Sequence, residues 1–362
     1  MRLALVGAGH AHLAVIARAG RLRTAGLNPV LIAPATFDYS GLAGAVLAGA
    51  IPRRDARIDI AALAQLHGVD HRTGLVSSLD RAARTLTLSD GAVEPYDLVS
   101  FNIGSTVDEL AGTHAAVWPV KPLTNLFDLH RAIVADLTAG RRPSLIVVGD
   151  GPSAFELAAS LIGLHERMGR TPDVILIGPG ADADWAPAGA ARHLVRSLEA
   201  RGLRRVRASV VGHAEGEVRL NEGRVLTCDH LVVATGLRAP ALTANFDLPL
   251  DSLGRLRVTP TLQSPDDPAV FAAGDCAAIE GYPRPSAGVF GVRAAGVLID
   301  NLCATAKGKR PGPYRPQTRW LSILDLADGT GLAMRGHRWC AGRLALRLKR
   351  HLDLGFVKRS RA

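Results

Sequence analysis

Gly7 and Gly9 directly follow an apolar run, LALV (3–6), and Gly149 and Gly151 directly follow another, LIVV (145–148). Glycines two apart at the end of a strand allow the backbone to turn sharply and to approach an oxyanion without Cβ atoms in the way. The chemistry this suits is phosphate binding, with backbone N–H groups and the positive end of the next helix facing the charge. Both turns depart from the pattern G-x-G-x-x-G at its third glycine, which serves helix–strand packing. Ala154 stands there in the second copy and costs little, whereas His12 in the first is bulky. That helix must therefore sit differently, or its imidazole must point outward. A third signal is Gly274-Asp275 after the apolar PAVFAA (268–273), where a carboxylate at a strand edge can accept a hydrogen bond from a sugar-like hydroxyl. Taken alone, it reads equally well as a turn aspartate.

These turns need strand–turn–helix units around them, and the hydrophobic periodicity supplies two. After the first turn it predicts a helix over about 11–25 and a strand over 29–33. After the second come a helix over about 153–167, a strand over 173–177, an amphipathic helix over 190–202 and a strand at RVRAS (205–209). Residues 210–236 then alternate strand and turn signals, as an antiparallel meander would, and end in LVVATG (231–236). The expected class is α/β, with two dinucleotide-binding domains of Rossmann type. The acid that commonly holds a ribose at the end of the second strand is missing from both units. Ala33-Pro34 and Gly178-Pro179 stand there, with no evident arginine for a 2′-phosphate, so NADH and NADPH remain equally open.

The length of 362 residues suits two domains. The four cysteines, Cys228, Cys276, Cys303 and Cys340, are too widely spaced for a zinc ribbon or a local dithiol. No metal site is expected, and a reducing cytoplasm suits this cysteine usage. No apolar run approaches the roughly 20 residues of a membrane span. The amino-terminal MRLALVGAGHAHLAV reads as strand, loop and helix more readily than as a signal peptide, because two histidines and a glycine turn interrupt it. The net charge of +10 is concentrated in a tail: from Arg335 onward nine Lys and Arg face only Asp353. In that tail Leu344, Leu348, Leu352 and Phe356 recur every four residues, with Arg343, Arg347, Arg350, Lys358 and Arg361 mostly on another face. The pattern is a basic amphipathic helix, interrupted at Gly355, that could lie on an anionic membrane surface. The other reading packs the apolar stripe against the protein or a second copy of the chain. Few aromatics interleave the cluster, so nucleic acid is not an expected partner.

In order, Gly-x-Gly, Gly-x-Gly, Ala-Thr-Gly (234–236) and Gly-Asp carry a resemblance to the flavoproteins with two dinucleotide-binding domains, the superfamily of glutathione reductase and type II NADH dehydrogenase. The pieces GAGHAH, YSGLAG (39–44), RIDIAALAQLHG (57–68), YDLVSFNIGS (96–105), WPVKP (118–122), RPSAGVFGVRAAG (284–296) and YRPQ (314–317) are most similar to the NADH-dehydrogenase-like group also found fused to selenide, water dikinase. A histidine at the position of His12 is common in that group, and this chain has no kinase portion. The resemblance implies an FAD domain at 1–108 and 240–315, an NAD(P)H domain inserted at 109–239, and an interface or membrane-surface segment at 316–362. It implies FAD contacts at Gly7, Gly9, His10, Ala11, His12, Ser40, Gly41, Gly104 and Gly274, with Asp275 on the ribityl chain. The helix beginning at Ala287, Gly288 and Val289 would aim its positive end at the flavin C2 carbonyl. Gly149, Gly151, Pro152, Ser153, Thr235 and Gly236 would hold NAD(P)H, with Glu156 near the nicotinamide. Lys121, on the linker, and Glu156 are the candidate catalytic residues.

One departure shapes the chemistry. No cysteine pair accompanies YSGLAG, so electrons cannot pass to a local disulfide as they do in glutathione reductase. The expectation is an FAD-dependent NAD(P)H dehydrogenase that passes electrons straight to a quinone or another small acceptor, in the cytoplasm or peripheral on the inner face of the cytoplasmic membrane. The alternatives are a flavin enzyme that oxidises another donor such as sulfide, for which Cys303 or Cys340 would have to reach the flavin, and a non-catalytic redox sensor.

Overall fold

The computed structural model describes all residues except 109, 114, 115, 181 and 362. Its frame is a pair of five-stranded, wholly parallel sheets. The first runs Val270–Ala272, Leu98–Phe101, Arg2–Val6, Asn28–Ala33, Asp70–Thr73. The second runs Val117–Pro119, His230–Val233, Leu145–Val148, Val174–Ile177, Leu203–Val206. Strands such as Leu145–Val148 and His230–Val233 are buried along their whole length, because helices and antiparallel layers cover both faces of a parallel sheet. Each sheet has its own apolar core. Leu3, Leu5, Leu31, Val99 and Phe271 centre the first, and Ile146, Val147, Leu176, Leu231 and Phe155 the second. A three-stranded antiparallel layer flanks each sheet, at 76–95 and 210–227.

Residues 11–25 differ from the sequence expectation. They form two helices, His10–Ile16 and Ala19–Thr24, with a break at Ala17 and Arg18. The first lies against the helix Gly288–Ala306 and the second turns back onto the strand Asn28–Ala33. Arg21 reaches Asp300 at 2.8 Å to tie the two together. The helix Gly288–Ala306 also corrects the reading of apolar runs, since its 19 residues are long and apolar enough to cross a bilayer. Here one side of it, from Phe290 through Ala294, Leu298 and Leu302, is buried in the first core.

The tail forms an antiparallel sheet, Ser322–Asp325, Gly331–Arg335 and Arg338–Gly342, followed by the helix Arg343–Arg359. This helix runs unbroken through Gly355, contrary to the sequence reading. Its expected apolar stripe is split. Phe356 turns inward, while Leu344, Leu348 and Leu352 are 77%, 43% and 46% exposed. The residues that seat the helix are Ala345, Lys349 and Val357, all buried.

Candidate active site

A cleft of about 760 Å³ opens at the carboxyl ends of the first sheet's strands, where open α/β sheets place their ligands. Gly7, Ala8, Gly9 and His10 form one wall, and Asn102, Ile103, Gly104 and Ser105 the floor. Phe37, Asp38, Ser40, Lys121, Gly274, Asp275 and Gly288 close the rest. Of the residues expected at the flavin, Ala11, His12, Gly41, Ala287 and Val289 are not among those lining the cleft. Its volume lies in the usual cofactor-site range of roughly 300–1,000 Å³.

Asn102, which was not singled out in the sequence, organises this cleft. Its Oδ1 accepts hydrogen bonds from the N–H groups of Ala11 and His12 at 3.0 and 3.1 Å. Its Nδ2 donates to the Ala273 carbonyl at 2.7 Å, and its own carbonyl accepts from the Gly9 N–H at 3.1 Å. One buried residue, at the end of the strand Leu98–Phe101, thus joins the glycine turn to the strand end before Asp275. Gly7 is required beside it, because at φ +84° a Cβ would stand 2.6 Å from the Asn102 carbonyl oxygen. Three N–H groups of the turn, those of Gly9, Ala11 and His12, are therefore already capped. Among the described residues, those of Ala8 and His10 have no protein partner.

His12 points inward, not outward as one of the two sequence readings required. Its ring is fully buried beneath the turn, with Nδ1 at 2.6 Å from the Gly7 carbonyl and Nε2 at 2.9 Å from Ser100 Oγ. A carbonyl so close to Nδ1 assigns the proton there, and Nε2 then accepts from the serine. Burial holds the ring neutral by lowering its pKa to about 4, against a smaller opposing effect of the Gly7 bond. In place of a packing glycine, the chain has a neutral brace.

The cleft's charged groups converge at its far end. Ser105 Oγ donates to Asp275 Oδ2 at 3.2 Å. Burial pushes Lys121 below its usual range, opposed by the carboxylate of Asp275. Among the described residues, no protein atom accepts a hydrogen bond from the Lys121 ammonium. His10 is lowered to about 4 by burial, raised a little by Asp275 and lowered further by Lys121. Its ring meets Phe37, Tyr39 and Phe356 at 5.4 to 5.6 Å. An ammonium and two N–H groups with no protein partner among the described residues, and a carboxylate at the strand edge, fit a ligand with anionic, hydroxyl and carbonyl groups, as FAD has. Asp38 also lines this cleft, but Arg53 and Arg57 hold its carboxylate at 2.8 and 3.2 Å.

The second turn shows a similar build. Gly149 and Gly151 precede the helix Pro152–Arg167, with Pro152 in its first turn. Beside it, after the strand His230–Val233, Thr235 has a buried hydroxyl with no hydrogen-bond partner among the described residues. Glu156 lies one turn into the helix, but its carboxylate is engaged elsewhere. Oε1 accepts from the Asp325 N–H at 2.9 Å and lies 3.6 Å from Lys349 Nζ. Burial raises the pKa of Glu156, while Lys349 opposes the shift. Lys349 also donates to the Gly41 carbonyl at 2.8 Å and pairs with Asp353 at 3.1 Å.

None of the four cysteines lines the cleft. Cys276 lies behind it, buried, with Sγ toward the Phe101 and Ala273 carbonyls, and burial raises its thiol to about 11. Cys303 sits on the outer part of the helix Gly288–Ala306, and Cys340 is exposed on the carboxyl-terminal sheet. Among the described residues, no group of three or more His, Cys, Asp or Glu could hold a metal ion.

Known proteins share both sequence and architecture with this chain. A NADH dehydrogenase-like protein of Mycobacterium tuberculosis is 32% identical over 225 residues, which take in 58% of this chain and 56% of that protein. The match thus spans little more than half of that relative. Ferroptosis suppressor protein 1 of Taeniopygia guttata is 26% identical over 81% of this chain and 78% of its own length. Among solved structures, the sulfide:quinone oxidoreductase of Aquifex aeolicus superposes with a TM-score of 0.79 at 17% identity, over 99% of this chain and 92% of that one. A ferredoxin reductase of Rhodopseudomonas palustris gives 0.75 at 19% identity, over 98% and 95%. At such identities these two structures share the fold. The family model of the pyridine nucleotide-disulphide oxidoreductases matches residues 1–295, and the chain belongs to that family.

Proposed function

We propose that this protein is an FAD-dependent NAD(P)H dehydrogenase that hands its electrons directly to a quinone or another small acceptor. The observation that carries this reading is the large cleft between the first glycine turn and Asp275, with no thiol along it. When bound there, FAD supplies the two-electron chemistry, taking a hydride from the reduced nicotinamide and returning electrons to the acceptor. The chain's part is placement and electrostatics. Ala8 and His10 offer N–H groups to the diphosphate, and Asp275 accepts from a ribityl hydroxyl. The first turn of the helix Gly288–Ala306 directs its positive end at the ring. Lys121 offers a cation where charge accumulates on reduction. Gly149, Gly151 and the Thr235 hydroxyl serve the nucleotide. Sulfide oxidation is disfavoured, since neither Cys303 nor Cys340 lines the cleft.

His12 and the GAGHAH turn are our grounds for placing the chain near the NADH-dehydrogenase-like group also found fused to selenide, water dikinase. The exposed leucines of the last helix, with Arg343, Arg347 and Lys358 around them, support attachment to an anionic membrane surface. Each near-surface cation adds about 1 kcal/mol there.

The test is an anaerobic titration of the purified protein followed in the visible spectrum. The expected result is a flavin spectrum bleached by NADH or NADPH and restored by a quinone analogue. A protein that does not retain FAD, or a flavin that neither nucleotide bleaches, overturns the reading.

A further inference from the structure

The second glycine turn carries an acid where a glycine or alanine would suffice. Asp150 lies between Gly149 and Gly151, at the end of the strand Leu145–Val148. Its side chain crosses to the end of the neighbouring strand, Val174–Ile177, where the ribose-holding acid of a nicotinamide site ordinarily stands. There Oδ2 accepts a hydrogen bond from the Gly180 N–H at 2.9 Å. Trp185 fixes the turn from the other side, its Nε1 donating to the Asp150 carbonyl at 2.8 Å.

The glycines at 178 and 180 are matched to this acid. A Cβ at Gly178 would fall 2.8 Å from the Asp150 Cβ, and one at Gly180 would fall 2.9 Å from Asp150 Oδ2. Two Cβ atoms cannot share that space, so an acid at 178 and Asp150 in its present pose exclude each other. The missing acid is thus replaced from the adjacent strand. Asp150 Oδ1 has no partner among the described residues and remains able to accept from a hydroxyl. Two cations beyond this loop are already paired, since Arg205 and Arg207 both contact Asp182, and Arg205 also holds Glu199 at 2.7 Å. A 2′-phosphate placed at this carboxylate would meet like charge.

We infer that Asp150 binds the adenosine ribose hydroxyls of the nicotinamide substrate and selects NADH over NADPH. This rests on the dehydrogenase reading and names the substrate of its second turn. The experiment measures NADH and NADPH binding to the FAD-loaded protein by quenching of tryptophan fluorescence, with Trp185 beside the turn as reporter. Calorimetry provides a second readout of affinity. Wild type is expected to bind NADH at least about tenfold more tightly than NADPH, the scale of one hydrogen bond to a charged group. Asp150→Asn keeps the shape and the Gly180 contact. It is expected to weaken NADH about tenfold while leaving NADPH unchanged or tighter. Asp150→Gly combined with Gly178→Glu returns the acid to the other strand and is expected to recover NADH binding. Wild type that binds NADH but shows no preference, or Asp150→Asn with unchanged affinity for both nucleotides, overturns the inference and leaves the dehydrogenase standing. Wild type that binds neither nucleotide removes both.

Discussion

At the scale of single residues, the site is held by polar groups that serve the backbone before they serve a ligand. His12 is the clearest case. Its folded pKa of about 4 lies below the usual imidazole value of 6.5, so the unfolded chain takes up a proton that the folded chain refuses. The stability this neutral brace contributes is complete above pH 6.5 and is lost as the pH falls toward 4. By linkage the loss amounts to about 3 kcal/mol. Thermal unfolding followed from pH 7 to pH 4.5 should therefore show a steeper decline for wild type than for His12→Gln. Parallel curves would show that another group carries the acid sensitivity. The glycine turns were legible in the sequence because paired glycines right after an apolar strand have few other uses, and Asp275 and Lys121 only through the family resemblance. Asn102 and Asp150 were not. Asparagine and aspartate are common wherever strands end, and what distinguishes these two is contact with segments far away in the chain, Ala273 for one and Gly180 for the other.

At the scale of elements, several strands and long helices followed the apolar periodicity, while the helix expected at 190–202 and the strand expected at 205–209 lie about two to three residues earlier, at Ala188–Glu199 and Leu203–Val206. The helix Pro152–Arg167 and the strands Asn28–Ala33 and Val174–Ile177 lie within a residue or so of where the pattern put them. The misjudged elements are those whose shape is decided by neighbours. Residues 11–25 broke into two helices because one half follows Gly288–Ala306 and the other follows a strand. The last helix ignored the usual cost of an internal glycine, about 1 kcal/mol, because Phe356 and Val357 anchor the turn that contains Gly355. Its four-residue apolar repeat was real but serves two surfaces, with Phe356 stacked on Tyr39 at 4.8 Å and three leucines facing out. Replacing Leu344, Leu348 and Leu352 together by Ser should lower the unfolding temperature only moderately, since each is at least 43% exposed and gives up less packing than a core leucine. The same variant should lose sedimentation with vesicles of anionic phospholipid. Undiminished vesicle binding would assign these leucines to another contact, such as a second copy of the chain.

At the scale of the whole molecule, one buried lysine joins three regions. Lys349 touches Gly41 beside the first cleft, Glu156 in the helix of the second turn and Asp353 on its own helix. Arg350 adds a pair to Asp325 at 2.9 Å. Nearby carboxylates, Glu156 foremost, outweigh burial and raise the pKa of Lys349, so it stays charged. Removing one partner of such a network leaves the others charged and dry, which typically costs about 3–5 kcal/mol. Lys349→Met should lower stability on that scale in denaturant titrations. The double variant with Glu156→Gln should recover part of the loss, because the uncompensated carboxylate is gone.

The inward turn of Phe356 has a consequence for the shape of the first cleft. That ring stacks on Tyr39 and lies 5.6 Å from His10, so the final helix of the chain rests against a wall of the pocket that its first helix begins. The aromatic packing of that wall is thus set by a segment far along the chain, and movement of the last helix would uncover one side of the His10 ring.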